Sequence, residues 1–534
     1  MGMPDSIQKP RRRLGEAGRV AQGRSEVPIT GTILDVAQRH PERLAIAGTD
    51  GRLTYAELVG DSRRLFATVD ALHRAQTTPP APAPETRGIP ITAVSLTSAF
   101  QTARVIAGLA GYCAVSAAID PRWPLDHRVG VITSTGIGLV ISDSPDLADA
   151  LAARGWTGTV LTLDELIRLE GATEPADAPT VRDDDESFLL LFSSGTTSDP
   201  KAFLKTRRQY RANVAVSSAH LEPLPGVVTL APGPVSYSLT LYAVIECLAT
   251  GGTVHVADAF DPLENGRRIR DEGITRVVAV PAVVRSMVDA ARRDPQRFAR
   301  LQLVVTGGAN LPQAIRDGLA RVLPDVRLIS YYGAAEIGFI GDSREGDGTL
   351  ISVYDEVRAR IDDGSTPAGE PGTLWILADA CSDGYISATT DARLKNADGW
   401  ATVHDQGRMV DGRLQLIGRA GDIAVTGGHK VALPEVERAF DGMPGVSAAC
   451  AIALPDPKLG TIVALVLETA PEHEAAASPT IDKAALQAWA RQHLAPQFVP
   501  RRWYRVAHLP RTVGGKIRRG ETAELVERGE AERL

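Results

Sequence analysis

The sequence predicts an α/β protein with largely parallel sheets, followed by a β-rich region and a further α/β segment at the C-terminus. Through about the first 350 residues, short apolar runs alternate with helical segments, which is typical of parallel sheets. After Leu350 the apolar runs follow one another closely, as in β-hairpins. The chain has 534 residues, which is more than a single hydrophobic core organises, so two or more domains are expected.

Within the β-rich region, the alternation of apolar and polar residues predicts five strands. These cover Val353–Ile361, Gly372–Leu377, Thr402–Asp405, Arg408–Val410 and Arg413–Leu416. The first 26 residues are polar and rich in arginine, without the apolar centre of a signal peptide, and they predict a disordered leader.

Composition and charge exclude several classes of function. Hydrophobic residues make up 44% of the chain and charged residues 23%, as in ordinary globular proteins. The net charge of −7 argues against general nucleic-acid binding. No run of about 18 apolar residues occurs, so no membrane span is expected. The four cysteines lie far apart, which predicts a reducing cytoplasm and neither disulfides nor a zinc site.

A loop rich in hydroxyl groups follows an apolar run, Phe188–Phe192, that predicts a buried strand. Backbone N–H groups and hydroxyls can surround a triphosphate, and a closing lysine adds positive charge. The spacing differs from that of the Walker loop. The candidate phosphate ligands are Ser193, Ser194, Gly195, Thr196, Thr197 and Lys201.

Two further segments follow predicted strands and suit a nucleotide. The first is Gly307-Gly308-Ala309-Asn310, where two glycines permit a ligand to approach the backbone closely. The second is Tyr331-Tyr332-Gly333-Ala334-Ala335-Glu336. An aromatic ring beside a glycine can lie on a base, and a carboxylate three residues later can hold Mg²⁺ on the phosphates.

Taken in order, these segments resemble the motifs of the adenylate-forming superfamily, which includes acyl-CoA synthetases, aryl-acid ligases, peptide-synthetase adenylation domains and luciferases. The resemblance covers about Val27 to Arg519. It includes Ser-Ser-Gly-Thr-Thr-x-x-Pro-Lys at the phosphate loop and Tyr-Gly-x-Ala-Glu at Glu336. It also includes Gly-Trp-x-x-Val-His-Asp-x-Gly ending at Gly407, and Pro-Arg-Thr-x-x-Gly-Lys ending at Lys516. Several motifs in the right order are far more specific than any one of them.

The resemblance implies a domain organisation. A large N-terminal AMP-binding domain over residues 27–418 would consist of two α/β subdomains and a β-rich subdomain. A small mobile C-terminal α+β domain would cover residues 419–534. Gly421 would be the hinge between them, and Gly428 would lie beside the tunnel for the thiol.

The resemblance also implies roles for individual residues. Lys516, Thr196 and Glu336 would be catalytic, with Thr196 and Glu336 also holding Mg²⁺. Lys516 would stabilise the attack of the acid on the α-phosphate, where negative charge develops. The acid pocket would be lined by Ser236, Tyr237, Gly307, Gly308 and Gly333. The remaining contacts to ATP or AMP would come from Gly308, Ala309, Asn310, Tyr331, Tyr332, Gly333, Ala335, Asp405, Ile417 and Arg419.

Four of these positions depart from the family pattern. Ala335 replaces the usual threonine, which removes a hydroxyl contact to the α-phosphate. His404 stands where glycine is usual, so the local backbone is expected to differ. Gly421 replaces an aspartate or lysine, and Tyr237 replaces a histidine. The departures fit either a specialised acid or a divergent reaction.

The implied function is activation of a small aryl or acyl carboxylic acid by ATP and Mg²⁺ to an acyl-adenylate, with release of pyrophosphate. Coenzyme A, or the phosphopantetheine of an acyl carrier protein, would then take the acyl group. One alternative is an enzyme that loads only a carrier protein. Another is a diazotase of bacterial secondary metabolism that activates nitrite for an aryl amine. A non-catalytic nucleotide-binding or scaffold protein would have lost Lys201, Glu336 or Lys516, and all three are present.

Overall fold

The structure is a computed structural model, and it describes most of the chain. The described residues are 29–193, 200–309, 311–362, 369–419, 422–426, 429–457, 460–469, 481–494, 498–512 and 515–534. The predicted leader lies outside them. So do seven of the predicted site residues, namely Ser194, Gly195, Thr196, Thr197, Asn310, Gly421 and Gly428.

The described part of the chain contains fourteen α-helices, most of which connect neighbouring strands. They are α1 (Ile29–Arg39), α2 (Tyr55–Ala75), α3 (Ala99–Leu109), α4 (Leu125–Thr135), α5 (Leu147–Ala153), α6 (Leu163–Ala172), α7 (Arg207–His220), α8 (Ser238–Thr250), α9 (Pro262–Asp271), α10 (Pro281–Arg293), α11 (Gln313–Val322), α12 (Leu433–Arg438), α13 (Lys483–His493) and α14 (Arg519–Glu527).

A six-stranded sheet in the order β6-β5-β3-β4-β7-β8 forms the first α/β layer. All its pairs are parallel except β7 with β8. Every residue of β3, β4 and β5 is buried, as expected when helices cover both faces of a parallel sheet. The strands are β3 (Ile91–Ser95), β4 (Val115–Ala118), β5 (Leu139–Ser142), β6 (Thr159–Leu161), β7 (Ser187–Phe192) and β8 (Ala202–Thr206).

A thirteen-stranded sheet combines the second α/β layer with the β-rich region, in the order β16-β17-β18-β19-β15-β14-β13-β12-β11-β9-β10-β1-β2. Pairing is parallel from β13 to β1 and antiparallel elsewhere. The strands are β1 (Leu44–Ala47), β2 (Arg52–Thr54), β9 (Val228–Pro232), β10 (Thr253–Ala257), β11 (Arg276–Ala279), β12 (Leu303–Thr306), β13 (Arg327–Ala334), β14 (Gly338–Ser343), β15 (Leu350–Val353), β16 (Arg358–Ile361), β17 (Gly372–Leu377), β18 (Asp405–Val410) and β19 (Arg413–Arg419).

The C-terminal region has its own sheets and its own hydrophobic core. A hairpin of β20 (Ile423–Thr426) and β21 (His429–Ala432) precedes a four-stranded sheet. That sheet consists of β22 (Val446–Asp456), β23 (Gly460–Thr469), β24 (Arg502–Val506) and β25 (Glu532–Arg533). Trp503 is fully buried there and lies edge-on to Phe440, with ring centroids 5.7 Å apart. Helix and sheet are mixed in the C-terminal region, as in the predicted α+β domain.

Side-chain caps explain where several helices begin. Thr206, the last residue of β8, caps α7, and Gln209 bonds back to the backbone of Thr206 in a capping box. The chain therefore turns directly from β8 into a helix, which fixes the end of the strand that follows the phosphate loop. No described helix combines the length and the apolar character that crossing a bilayer needs.

Two of the strand predictions in the β-rich region are wrong. The predicted strand Val353–Ile361 is interrupted by a turn in which the N–H of Val357 donates to the carbonyl of Tyr354, 3.0 Å away. The predicted strand Thr402–Asp405 is a loop up to His404, because His404 has a φ of 63°. That left-handed conformation, which favours glycine, ends the extended backbone before β18 begins.

Candidate functional site

The two ends of the predicted phosphate loop lie side by side, where β7 ends and β8 begins. The N–H of Ser193 donates to the carbonyl of Lys201, 2.8 Å away, and the N–H of Lys201 donates to the Ser193 hydroxyl at 3.1 Å. These two bonds close the loop at its base. Ser193 and Lys201, which flank residues 194–199 in the sequence, are therefore paired where β7 ends and β8 begins.

Lys201 is linked to Glu336 through a tyrosine that the sequence did not indicate. The Lys201 ammonium lies 5.2 Å from the ring centroid of Tyr385, within the range of a cation–π contact. The Tyr385 hydroxyl donates to Oε1 of Glu336 at 3.2 Å. Burial, and then the charge of Glu336, raises the pKa of Tyr385, so this hydroxyl remains a donor at neutral pH. A Gly-Tyr pair in a loop was the only signal available from the sequence.

The turn that carries Glu336 is fixed by hydrogen bonds to its carbonyl groups. The Tyr242 hydroxyl donates to the carbonyl of Ala335 at 2.7 Å. The carbonyl of Glu336 accepts two hydrogen bonds, from the N–H of Ser382 at 2.8 Å and from Nζ of Lys205 at 2.9 Å. Glu336 itself is 6% exposed. The backbone of the turn is therefore held from several sides, and the Glu336 carboxylate is oriented by the Tyr385 hydroxyl.

Glu336 is suited to hold a divalent cation jointly with a phosphate. Among the described residues, no group of three or more histidine, cysteine, aspartate or glutamate side chains is arranged to bind a metal by itself. Mg²⁺ is commonly held in proteins by one or two carboxylates together with phosphate oxygens and water. A single buried carboxylate beside the base of a phosphate-type loop fits that pattern.

Asp405 joins the predicted adenine site to the strand that leads to the C-terminal region. The Tyr332 hydroxyl donates to Oδ2 of Asp405 at 2.6 Å, and Nε of Arg419 donates to Oδ1 at 3.2 Å. Burial and the charge of Asp405 raise the pKa of Tyr332 well above its usual value. The ring of Tyr332 and the carboxylate of Asp405 are therefore neighbours, as they must be to bind a base and its ribose.

Lys516 extends from the C-terminal region toward the same place. The loop is held by the N–H of Thr512, which donates to the carbonyl of Lys516 at 2.7 Å. Lys516 is exposed at the surface, and desolvation by the protein atoms around it lowers its pKa. The charge of Arg419 lowers the pKa further, whereas Asp405 and Glu336 act in the opposite direction. The charges of both carboxylates of the predicted nucleotide site therefore act on Lys516.

The connection between β19 and the C-terminal region is held by one aspartate. Oδ2 of Asp422 accepts from the N–H of Arg419 at 3.2 Å, and Oδ1 accepts from Nε of Arg519 at 2.8 Å. Arg519 also forms an ion pair with Glu437, whose pKa is raised by burial. The predicted pivot, Gly421, lies between these partners in sequence but outside the described residues.

Tyr331 lies against Gly307 at the end of the parallel strands. A Cβ added at Gly307 would be only 2.4 Å from the Tyr331 ring, so the ring occupies the space beside this glycine. Behind it, edge-to-face contacts connect Tyr331 to Phe339 at 4.9 Å and Phe339 to Tyr242 at 5.9 Å. Tyr210 extends the row, with its ring 5.3 Å from that of Tyr242. Aromatic rings therefore fill the interior behind Gly307.

The other predicted pocket residues lie near a small cavity between the two large sheets. The cavity has a volume of about 110 Å³ and is lined by Leu96, Ser98, Thr102, Arg122, Ser236 and Asp258, among others. The hydroxyl of Ser236 is buried without a hydrogen-bond partner among the described residues. Burial, and then the charge of Asp120, raises the pKa of Tyr237 to about 12.

Four more of the predicted nucleotide contacts lie among the described residues. Gly308 has a φ of 79°, Ala309 is exposed, and Ile417 is half-buried in β19. Gly333, the residue before the last of β13, is in close contact with the next strand, since an added Cβ would lie 2.5 Å from the carbonyl oxygen of Gly338. The structure brings Lys201, Glu336, Asp405, Arg419 and Lys516 together.

Comparison with known proteins agrees with this geometry. The profile of the AMP-binding enzyme family matches residues 93–386, and that of the AMP-binding enzyme C-terminal domain matches residues 435–516. The chain is 26% identical over 514 residues to YhfT of Bacillus subtilis (strain 168), an uncharacterised acyl-CoA ligase, covering 93% of this chain and 98% of YhfT. It is 30% identical over 431 residues to a salicylyl-CoA synthase / salicylate adenylyltransferase of a Streptomyces species, covering 76% and 75% of the two chains.

Among solved structures, ATP-bound MatB from Rhodopseudomonas palustris has the same fold. It superposes with a TM-score of 0.81 at 21% sequence identity, covering 94% of this chain and 99% of MatB. The chain belongs to the AMP-binding enzyme family, the adenylate-forming superfamily that its motifs resemble.

The family matches and the MatB structure confirm the predicted fold class. The predicted class of reaction is confirmed as well: this is an AMP-forming acid–thiol ligase that makes an acyl-adenylate with ATP and transfers the acyl group to coenzyme A.

The contact at Gly333 leads to a stability prediction. We expect Gly333→Ala to lower the free energy of unfolding by about 1–3 kcal/mol, because the new methyl group must displace the backbone at Gly338. We expect Gly60→Ala to raise it by about 1 kcal/mol, because Gly60 lies in α2 with open space around it. The melting temperatures of both variants, measured by thermal unfolding, check this prediction. Equal shifts of the two melting temperatures in the same direction would contradict it.

Proposed function

We propose that ATP, Mg²⁺ and a compact carboxylic acid meet between Lys201, Glu336, Asp405 and Lys516. The observation that carries this proposal is that Tyr385 links Glu336 to Lys201, while Lys516 lies near enough for the charges of Glu336 and Asp405 to act on it. Lys516 comes from the C-terminal region and both carboxylates come from the N-terminal region. A positive group beside a metal-binding carboxylate and a ribose-binding carboxylate is what the first half-reaction requires.

In the first half-reaction, the carboxylate of the acid attacks the α-phosphorus of ATP. A new bond forms between carboxyl oxygen and phosphorus, the bond to the bridging oxygen breaks, and pyrophosphate leaves. The Lys516 ammonium stabilises the negative charge that develops at the α-phosphate. Asp405 binds the ribose hydroxyls, while Lys201 and the loop that begins at Ser193 bind phosphate oxygens. Glu336, with Thr196 as the second ligand implied by the resemblance, would hold Mg²⁺, which would neutralise phosphate charge when bound.

In the second half-reaction, the thiol of coenzyme A attacks the acyl carbon and AMP leaves. We propose that residues 419–534 rotate as a mobile domain about Gly421, which withdraws Lys516 from the site and makes room for the thiol beside Gly428. Rotation about Gly421 would disturb the bond between Asp422 and the N–H of Arg419, whereas the bond between Asp422 and Arg519 lies within the C-terminal region. The phosphopantetheine of a carrier protein is an alternative acceptor with the same thiol chemistry.

We propose an aromatic or similarly compact acid as the substrate. Tyr331 beside Gly307, with Phe339 and Tyr242 behind it, leaves little space for a long chain to extend inward. Aromatic walls favour a flat ring, through offset-stacked or edge-to-face contacts. The relative named for salicylate also supports an aromatic acid.

The experiment that tests the function is a screen for pyrophosphate release. The purified protein is incubated with ATP and Mg²⁺ and with aryl, cinnamyl, short-chain or long-chain acids, each with and without coenzyme A and with and without nitrite. We expect release that depends on the acid, and formation of a thioester when coenzyme A is present. Release that depends on nitrite and an aryl amine but on no acid would establish the diazotase reaction instead.

The position of Tyr331 leads to a prediction about specificity. We expect Tyr331→Ala to accept acids several methylene groups longer than those used by the wild type, because it removes the ring beside Gly307. Each methylene that gains a buried position contributes about 0.8 kcal/mol to binding. Tyr331→Phe keeps the ring and serves as the control. The measurement is kcat/KM for a series of alkanoic acids of increasing chain length. If kcat/KM depends on chain length in the same way for the wild type and Tyr331→Ala, the prediction is contradicted.

The lowered pKa of Lys516 leads to a prediction about pH. Adenylation needs the charged ammonium, so its rate should fall as pH rises through a pKa below the ordinary range of lysine. In Lys516→Arg the guanidinium stays charged, so this fall should disappear even if the absolute rate drops. The measurement is the pH profile of pyrophosphate release for both proteins. If the rate of pyrophosphate release by Lys516→Arg falls over the same alkaline pH range as that of the wild type, another group is responsible for the titration.

A further inference from the structure

Lys205 is a buried lysine whose hydrogen bonds go to the main chain. It lies in β8, and its side chain is 2% exposed. Nζ donates to the carbonyl of Glu336 at 2.9 Å and to the carbonyl of Ala380 at 2.6 Å. Buried ammonium groups are rare and are usually paired with a carboxylate. A buried lysine that bonds to two carbonyls, instead of to a carboxylate, is therefore unusual.

Both carbonyls belong to segments that hold the Glu336 carboxylate. The first is the carbonyl of Glu336 itself, in the turn between β13 and β14. The second is the carbonyl of Ala380, in the loop after β17. In that loop, the N–H of Ser382 donates to the Glu336 carbonyl, and the Tyr385 hydroxyl donates to Oε1 of Glu336. Lys205 thus joins the turn to the loop that contacts the Glu336 side chain.

Lys205 also connects Glu336 to the sheet that carries the phosphate loop. Strand β8 begins directly after Lys201, and Lys205 lies four residues further along the chain. At about 3.3 Å per residue, the strand places Lys205 about 13 Å from Lys201 along its axis. The two Lys205 hydrogen bonds therefore set where the Glu336 turn lies relative to the base of the phosphate loop. Binding constellations lose function when such spacings change by about 1 Å.

We propose that Lys205 is a positioning residue for Mg²⁺-dependent binding of ATP. It acts through the main chain, holding the Glu336 turn at a fixed distance from the phosphate loop, and does not itself touch the nucleotide. This inference rests on the proposed role of Glu336 as the metal-binding carboxylate. A lysine that only filled the core would change stability without changing how ATP binding depends on Mg²⁺.

The test is calorimetric titration of ATP into the full-length protein without any acid, once with Mg²⁺ and once with EDTA. We expect Lys205→Met to weaken binding about 10- to 100-fold with Mg²⁺, the range typical when a residue that orients a metal ligand is lost. With EDTA we expect a change of less than about twofold, because Glu336 then has no metal to bind. We expect a smaller loss in Lys205→Arg, which keeps donors for the carbonyls.

Lys395→Met is the matched control, since it makes the same substitution in a neighbouring lysine. Nζ of Lys395 lies 3.5 Å from the carbonyl of Cys381 and 3.6 Å from Oδ1 of Asp383, on the same loop, and makes no bond to Glu336. We expect it to bind ATP like the wild type in both conditions. Equal losses in Lys205→Met and Lys395→Met would show that any disturbance of the loop has the same effect, and would overturn the proposal.

The remaining outcomes also decide the question. If Lys205→Met fails to fold, Lys205→Gln, whose side chain is shorter than that of lysine, carries the test, and wild-type Mg²⁺ dependence in that variant would overturn the positioning role. Failure of both variants to fold would do the same, because Lys205 would then be a structural residue. Pyrophosphate release by the wild type is measured in parallel. Its absence with every acid would contradict the proposed function, whereas the Lys205 comparison concerns ATP binding alone.

Discussion

The turn that carries Glu336 is the constraint on which the rest of the site depends. Three different parts of the fold hold it: Tyr242 from α8, Lys205 from β8 and the Ser382 N–H from the loop after β17. Each holds a carbonyl of the turn, so the side chain of Glu336 remains available for a ligand. Because α8 and β8 belong to different layers, the turn is bonded to elements of both α/β layers.

The proposed nucleotide site includes residues from the N-terminal and the C-terminal regions. Asp405 links Tyr332 to Arg419 at the end of β19, and Lys516 is close enough to Asp405 and Glu336 for their charges to affect its pKa. A rotation of the C-terminal region can therefore remove the lysine without disturbing the carboxylates. The proposed separation of adenylate formation from thiol transfer follows from this division of the site between two regions.

The sequence indicated the residues proposed to bind ligands, but not the residues that hold them in place. Glu336, Asp405 and Lys516 occur in motifs, because a ligand demands particular residue types at particular spacings. Lys205 and Tyr385 were missed because their partners are distant in the chain: Lys205 contacts carbonyls 131 and 175 residues away. The strand Gly372–Leu377 was predicted with its observed bounds, since its burial alternates strictly. At His404 the pattern suggested a strand, but a single positive φ ended it.

The most direct test of this account is amide hydrogen exchange in the loop at Ser382, measured on the protein without ligand. If the Glu336 turn is fixed before ATP binds, peptides that cover Ser382 should exchange slowly, because its N–H donates to the Glu336 carbonyl at 2.8 Å. Their protection should change little when ATP and Mg²⁺ are added. Rapid exchange in the free protein that becomes slow only with the nucleotide would show that the ligand builds the site, and would contradict the account.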